Sequence, residues 1–329
     1  MTLRIGLLGA GRIGKVHAGA VASTAGAQLV AVADALPAAA KAVAEPAGAR
    51  VSTIDEIIAA DDIDAVLITT PTDMHSDLIE RAAKAGKKIF CEKPIDLDVA
   101  RVRKCLKVVE RTNALLMVGF NRRFDPHFGE LKRRIDAGAV GNVEMVQIVS
   151  RDPGPPPADY IKRSGGLFRD MTIHDFDMAR FMLGEEPFSV SATGAVLVDP
   201  KIGKLGDIDS AAVVLQTASG RMAMISNSRR ATYGYDQRVE VHGSKGLASA
   251  ENPVHAMVTT ANANGYTTVP LHTFFMTRYT EAYAAEIAAF VAAATGAGPV
   301  SPDGNDGLRA LLLADAAVRS AASGRVIRV

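Results

Sequence analysis

Only two cysteines, Cys91 and Cys105, occur in the 329-residue chain, too few for a disulfide framework or a four-thiolate zinc site. That scarcity fits a reducing compartment, and a cytoplasmic location is the expectation. Long hydrophobic runs are also missing, since no segment reaches the roughly 18 uninterrupted apolar residues that a membrane-spanning helix needs. The apolar start is broken by Arg12 and Lys15 and has no small-residue cleavage site after a long apolar core. A buried first strand is expected there, not a signal peptide. Charge of one sign is lacking as well: 37 Lys+Arg stand against 36 Asp+Glu, a formal net charge of +1. Neither nucleic acid nor an anionic membrane is therefore expected as a partner. No internal repeat or low-complexity tail is seen, and the one proline cluster, Pro153–Pro157, reads as a loop. What remains is ordinary globular composition, 48% hydrophobic and 22% charged, at a length that favours two domains.

Short apolar runs alternate with helical stretches over the first 120 residues. Leu3–Leu8, Gln28–Ala33, Ala65–Thr69, Lys88–Cys91 and Leu115–Val118 suit parallel strands covered on both faces. Between them, Asp73–Ala85 and Asp98–Arg111 each open with an Asp suited to capping a helix. This rhythm predicts an α/β fold whose N-terminal domain, residues 1–121, is a Rossmann doubly wound parallel sheet. In residues 122–329, Lys132–Ala137 and Met171–Leu183 read as helices, and strand-like runs cluster: Val190–Val198, Ser210–Thr217, Met222–Ser228 and Gln237–His242. They predict an α+β domain with a large open, mostly antiparallel sheet. Val143, Met145 and Val149 alternate with Val146 and Ile148, so that sheet is apolar on both sides. Helices can cover one side; a second subunit is expected to cover the other. Two Ala-rich helices, near Thr280–Ala294 and Asp306–Ser320, close the chain.

Gly9-Ala10-Gly11-Arg12-Ile13-Gly14 follows the first strand and opens the first helix. A bare G-x-G-x-x-G string is weak; its place at a strand-to-helix junction strengthens it, because helix-end N–H groups and the macrodipole favour a pyrophosphate. The next strand ends at Asp34, 20 residues beyond Gly14, where a carboxylate accepts from ribose hydroxyls. Asp34 would repel a 2′-phosphate, which favours NAD over NADP; Arg12 partly offsets that preference. Gly9, Gly11, Arg12, Ile13, Gly14 and Asp34 are thus the cofactor candidates. Thr70, Pro71, Thr72 and His75 read as a further cofactor-facing loop after the fourth strand, equally compatible with a helix start capped by Asp73. Cys91-Glu92-Lys93-Pro94 follows the fifth strand and Gly119-Phe120-Asn121-Arg122-Arg123-Phe124 the sixth. Strand C-termini of an open parallel sheet are where ligands bind, which adds Glu92 and Lys93 to the cofactor set.

No Y-x-x-x-K pair of the short-chain dehydrogenases is present, since Tyr160 has its Lys only two residues later. Taken over essentially its whole length, the chain resembles the glucose–fructose oxidoreductase / inositol dehydrogenase / rhizopine-catabolism family. The glycine loop, Thr70-Pro71-Thr72 with His75, the Glu92-Lys93-Pro94 triplet and the Asp170…His174 pair carry the resemblance. The longer runs Gly165–Asp175 and Arg229–Asp236 are most similar to those of bacterial inositol dehydrogenases. The resemblance implies NAD-dependent oxidation of myo-inositol to 2-keto-myo-inositol in inositol catabolism, by a homotetramer. Another inositol isomer or a pyranose is the nearest alternative substrate. A non-catalytic NAD-binding regulator is the alternative from another class, and it would have no need of acid–base groups.

If Met171–Leu183 is one helix stopped by Gly184, then Met171, His174, Met178, Phe181 and Met182 form one inward apolar stripe. Asp170 lies one turn earlier, about 6 Å along the axis. A carboxylate beside an imidazole fixes its tautomer and stabilises its protonated form; an interior His held by an Asp is the bland reading of the same spacing. The resemblance implies the catalytic reading, with Lys93, Asp170 and His174 acting together. Arg122, Asp152, Tyr233 and Tyr235 are weaker substrate-pocket candidates, and the 151–157 loop is where specificity is expected to diverge. The cysteines read as core residues. No metal is expected, because hydride transfer to a nicotinamide needs none.

Overall fold

The computed structural model describes residues 2–329 and divides into two compact units. The first takes the chain up to Asp125 together with Thr280–Leu311. Its elements run β1 (Leu3–Leu8), α1 (Arg12–Ser23), β2 (Ala27–Ala33), α2 (Pro37–Ala47), β3 (Arg50–Val51), α3 (Ile54–Ala59), β4 (Ala65–Ile68), α4 (His75–Lys84), β5 (Lys88–Glu92), α5 (Val99–Arg111) and β6 (Leu116–Gly119). All strands are parallel, in the order β3-β2-β1-β4-β5-β6. The order reverses beside β1, which is the crevice where such sheets bind ligands. Ile5, Leu7, Val66, Leu67, Phe90 and Met117 are all 0% exposed, as expected of strands covered on both faces. Each such side chain contributes about 1.5–3 kcal/mol through burial.

The second unit comprises Pro126–Tyr279 and Leu312–Val329. It opens with α6 (Pro126–Asp136), β7 (Val143–Arg151), α7 (Ala158–Ser164), α8 (Leu167–Asp170) and α9 (Thr172–Leu183). Then follow β8 (Pro187–Ala195), α10 (Pro200–Lys204), β9 (Ser210–Thr217), β10 (Met222–Ser228), β11 (Asp236–Gly243), β12 (Gly246–Ala250), the hairpin β13 (Thr259–Asn262) and β14 (Gly265–Thr268), and α11 (Phe275–Arg278). The chain ends with α12 (Thr280–Ala294), α13 (Gly304–Ser323) and β15 (Ile327–Arg328). The large sheet has the order β12-β11-β7-β10-β9-β8-β15, antiparallel except for the parallel pair β7 and β10. One face is covered: α9 lies against β7 and β10. On the other, Val214 and Met224, cross-strand partners, stay 43% and 38% exposed.

Thr280–Leu311, placed by the sequence reading in the second domain, belongs to the first unit. There α12 packs on α1, and Pro302 O accepts from Val118 N at 2.9 Å. Among the described residues no helix is long and apolar enough to cross a membrane.

Candidate active site

The glycine loop is built by close packing. Gly9 has φ +104°, and a Cβ there would lie 2.7 Å from the Thr69 carbonyl carbon; one on Gly14 would lie 2.1 Å from Gly9 O. Both glycines are demanded by the protein itself. Gly11 is different, because a Cβ on it would meet nothing within 4 Å. The start of α1 behind it has neither a side-chain cap nor an acidic residue in its first turn. Its N–H groups and dipole are left for an anion, and the bare Gly11 allows a pyrophosphate to approach the backbone. Asp34 stands at this loop: Oδ2 accepts from Ala10 N at 2.7 Å and Oδ1 from Leu36 N at 2.8 Å. These residues fit a dinucleotide. Arg12 is exposed and Ile13 half-buried at the mouth of the loop.

Thr69, at the end of β4, donates its hydroxyl to Gly9 O at 2.7 Å and so ties the next loop to the glycine turn. Thr70 and Thr72 follow in that loop, but Asp73 is not the cap of α4. Residues Thr72–Met74 form a 3-10 turn, and the α-helix begins at His75 without a side-chain cap. His75 is 2% exposed, its Nδ1 2.8 Å from Pro94 O and its Nε2 2.8 Å from Thr70 O. Its ring spans two loops and offers no edge to solvent. Burial holds its pKa below the usual imidazole value, with the two carbonyls pulling the other way. Glu92 also points inward, at 8% exposure. His17 on α1 meets its Oε1 at 2.7 Å, and its Oε2 accepts from Lys93 N at 3.2 Å. Lys93 itself is half-buried at the end of β5.

In the second unit Asp170 and His174 do not share one helix. Asp170 ends the four-residue α8, and α9 starts at Thr172 after a break at Met171. The two glycines before α8 set it off from α7 as a separate short helix. Gly165 and Gly166 have φ +82° and +83°, and a Cβ on Gly166 would lie 2.8 Å from Asp207 Oδ1. Nor is α9 amphipathic, as the expected apolar stripe required. Asp175 and Asp177 are 0% and 1% exposed, whereas His174 is only half-buried. The buried carboxylate is satisfied from β10: Asn227 donates to Asp175 Oδ2 at 2.7 Å and accepts from Thr172 Oγ1 at 2.7 Å. This exchange pins α9 to the sheet and leaves His174 on the less covered side.

Asp170 Oδ1 accepts from the Tyr160 hydroxyl at 2.7 Å, and Arg229 Nη2 lies 3.6 Å from its Oδ2. Sequence reasoning assigned no role to Tyr160, Arg229, Asp207, Asn227 or His17, each of which acts through a residue on another element. Among the weaker candidates, Arg122 is buried at 6%, and Asp152 N bonds to Ser228 O at 2.9 Å. The Tyr233 hydroxyl sits between Arg151 Nη1 at 2.8 Å and Asp236 Oδ2 at 2.7 Å. Tyr235 is 5% exposed and packs edge-on against Phe274 and Tyr279. Tyr233 and Pro153 of the 151–157 loop line one open cavity of about 390 Å³, with Pro270 and Leu271 opposite. The cysteines are core residues: burial pushes the Cys105 thiol up to about 12 and that of Cys91 well above its usual value. No group of three or more His, Cys, Asp or Glu side chains among the described residues is arranged to hold a metal ion.

Comparison with known proteins agrees with this layout. Residues 3–120 match the model of an oxidoreductase family with an NAD-binding Rossmann fold, and residues 128–249 match the GFO/IDH/MocA C-terminal domain. The chain is 68% identical over 329 residues, covering 100% of both sequences, to an inositol 2-dehydrogenase of Rhizobium meliloti (strain 1021). A crystal structure of a myo-inositol dehydrogenase from Corynebacterium glutamicum is 44% identical, with TM-score 0.96 over 100% of this chain and 99% of that one. A scyllo-inositol dehydrogenase from Lactobacillus casei, solved with NAD(H) and scyllo-inositol bound, is 32% identical, with TM-score 0.93 over 100% and 99% of the two chains.

Proposed function

The chain belongs to the GFO/IDH/MocA family of NAD-binding oxidoreductases, and from that premise we propose that it oxidises myo-inositol at C2 to 2-keto-myo-inositol. The observation that carries this reading is the 68% identity to an inositol 2-dehydrogenase without truncation of either sequence. NAD, held by the Gly9–Gly14 loop and Asp34, supplies the hydride acceptor when bound. His174 takes the proton from the reacting hydroxyl, Asp170 orients its ring, and Lys93 hydrogen-bonds the same oxygen. Thr70, Pro71 and Thr72 border the cofactor. His75 and Glu92 serve it indirectly, by fixing the loops on which Thr70 and Lys93 sit. Arg122, Asp152, Tyr233 and Tyr235 bind or back the remaining hydroxyls. A wrong epimer leaves donors or acceptors of this set unpaired, so discrimination between isomers is large.

We further place the protein in inositol catabolism in the cytoplasm, as a homotetramer. The half-exposed face carrying Val214 and Met224 supports association with a second copy. Light scattering should give four times the 34.6 kDa chain mass; a monomer would refute the assembly.

The activity is tested by following NAD reduction with a panel of inositol isomers and pyranoses. The highest kcat/KM is expected with myo-inositol. A higher value for scyllo-inositol or a pyranose would reassign the substrate. Replacing His174→Ala should lower kcat by about 100-fold or more and leave NAD affinity intact; unchanged turnover would remove His174 from the reaction.

A further inference from the structure

Arg229 is among the largest fully buried side chains, 1% exposed, yet nothing in the proposed chemistry uses it. Its Nη2 lies 3.4 Å from Asp207 Oδ2 and 3.6 Å from Asp170 Oδ2, one cation serving two carboxylates. A guanidinium at this depth is held only where carboxylates offset its desolvation, and here one nitrogen, Nη2, stands near both of them.

Its two partners sit at the two ends of α8. Asp207 Oδ1 accepts from Leu167 N at 2.9 Å, the first residue of that helix, and fills the space beside Gly166 where a side chain would otherwise stand. Asp170 is the last residue. The guanidinium thereby links the anchor of the helix start to the carboxylate at its end. Its own base is firm: Arg229 N donates to Asp209 O at 2.8 Å. The Asp209 carboxylate in turn accepts from Leu197, Val198 and Asp199 N–H groups at 2.8, 2.9 and 3.0 Å. On the far side Tyr160 donates to Asp170 Oδ1 at 2.7 Å. Each oxygen of Asp170 thus has its own neighbour, the Tyr160 hydroxyl at Oδ1 and the Arg229 guanidinium near Oδ2.

We propose that Arg229, braced by Asp207, is a positioning residue that fixes the Asp170 carboxylate, and through it His174, for proton removal from the substrate hydroxyl. The inference rests on the reading of Asp170 and His174 as the proton-handling pair. Arg229 acts through Asp170 and touches no substrate. Without it, two carboxylates face each other unscreened inside the unit, and Asp170 turns away.

The test uses the full-length protein with NAD, myo-inositol and myo-inositol deuterated at C2. In Arg229→Lys, which keeps the charge but not the reach and shape of the guanidinium, kcat is expected to fall about 100-fold, the loss typical of a small misplacement. NAD affinity stays unchanged, KM moves much less than kcat, and the deuterium isotope effect on kcat rises as chemistry becomes limiting. A merely structural role would lower stability and leave the isotope effect where it was. Asp207→Asn and the exposed Tyr160→Phe are expected to show the same pattern with smaller losses, and they carry the test if Arg229→Lys does not fold. Folded variants with unchanged kcat and isotope effect overturn the inference and leave the inositol reading standing. Failure of the unaltered protein to oxidise any cyclitol overturns both.

Discussion

His17 Nε2 lies 2.7 Å from Glu92 Oε1 in the interior of the first unit, with side chains 0% and 11% exposed. The ring is edge-on to Phe90 and Tyr283, at centroid distances of 5.0 and 5.5 Å. One helix, α1, therefore carries the glycine loop at its start and, further along, the imidazole that fixes the residue before Lys93. The nucleotide loop and the proposed active-site lysine are parts of one packed assembly.

Removing that imidazole should be felt in stability first. In His17→Leu the ring volume is roughly kept, but Glu92 loses a hydrogen-bond donor where water is scarce. The expected cost is about 1–3 kcal/mol, read as a lower urea midpoint at unchanged slope. A transition superimposable on that of the unaltered protein would show that the contact contributes nothing.

Two glycines of the loop, Gly9 and Gly11, should separate folding from cofactor binding. Gly9→Ala forces a side chain into the Thr69 backbone at a positive φ, and the protein should lose much of its stability. Gly11→Ala meets nothing within 4 Å, so its thermal midpoint should stay in place. Its NAD dissociation constant should rise about tenfold or more, equivalent to about 1.4 kcal/mol, because the added methyl stands where the pyrophosphate approaches. Gly11→Ala with undiminished NAD affinity would mean that the nucleotide does not lie against that residue.

Strands were legible where a continuous apolar run or a clean alternation had one sensible placement; β1, β9 and β10 begin and end where the residues say. The hairpin β13–β14 was not read. All its residues are exposed, so no hydrophobic alternation marks it. The expected stripe on α9 failed because Asp175 is buried against Asn227, 52 residues away, and no window of sequence contains that pair. For the same reason the glycine loop and Asp34 could be found from spacing, while Arg229 beside Asp170 could not. The return of Thr280–Leu311 to the first unit was invisible too, since an Ala-rich helix does not declare which core it joins.

Glu286 gives a pH signature of opposite sign to that of an ordinary carboxylate. It is 0% exposed on α12, neither oxygen has a hydrogen-bond partner among the described residues, and burial, with Glu92 nearby, raises its pKa well above the usual 4.5. The folded state holds this proton more tightly than the unfolded chain does. Its stabilising contribution is complete below pH 4.5 and is lost as pH rises toward the folded value. Glu286→Gln should therefore be more stable than its parent at neutral and alkaline pH, with the difference closing near pH 4.5. A gap independent of pH in urea titrations would contradict a raised pKa.

His75 should act in the opposite direction. Burial depresses its pKa below 6.5, outweighing the Pro94 and Thr70 carbonyls and Glu92, which raise it, while Lys93 lowers it further. The unfolded chain then binds the proton more readily than the folded one. The stability that His75 provides is present above pH 6.5 and drains away as pH falls through the folded value. In His75→Phe the ring still fills the space between the Thr70 loop and Pro94, but the hydrogen bonding is gone, a loss of about 1–3 kcal/mol above pH 6.5. Because the parent alone weakens on acidification through this group, the two urea midpoints should converge as pH drops. Parallel curves across that range would show that His75 does not titrate with folding, and that its ring matters for shape alone.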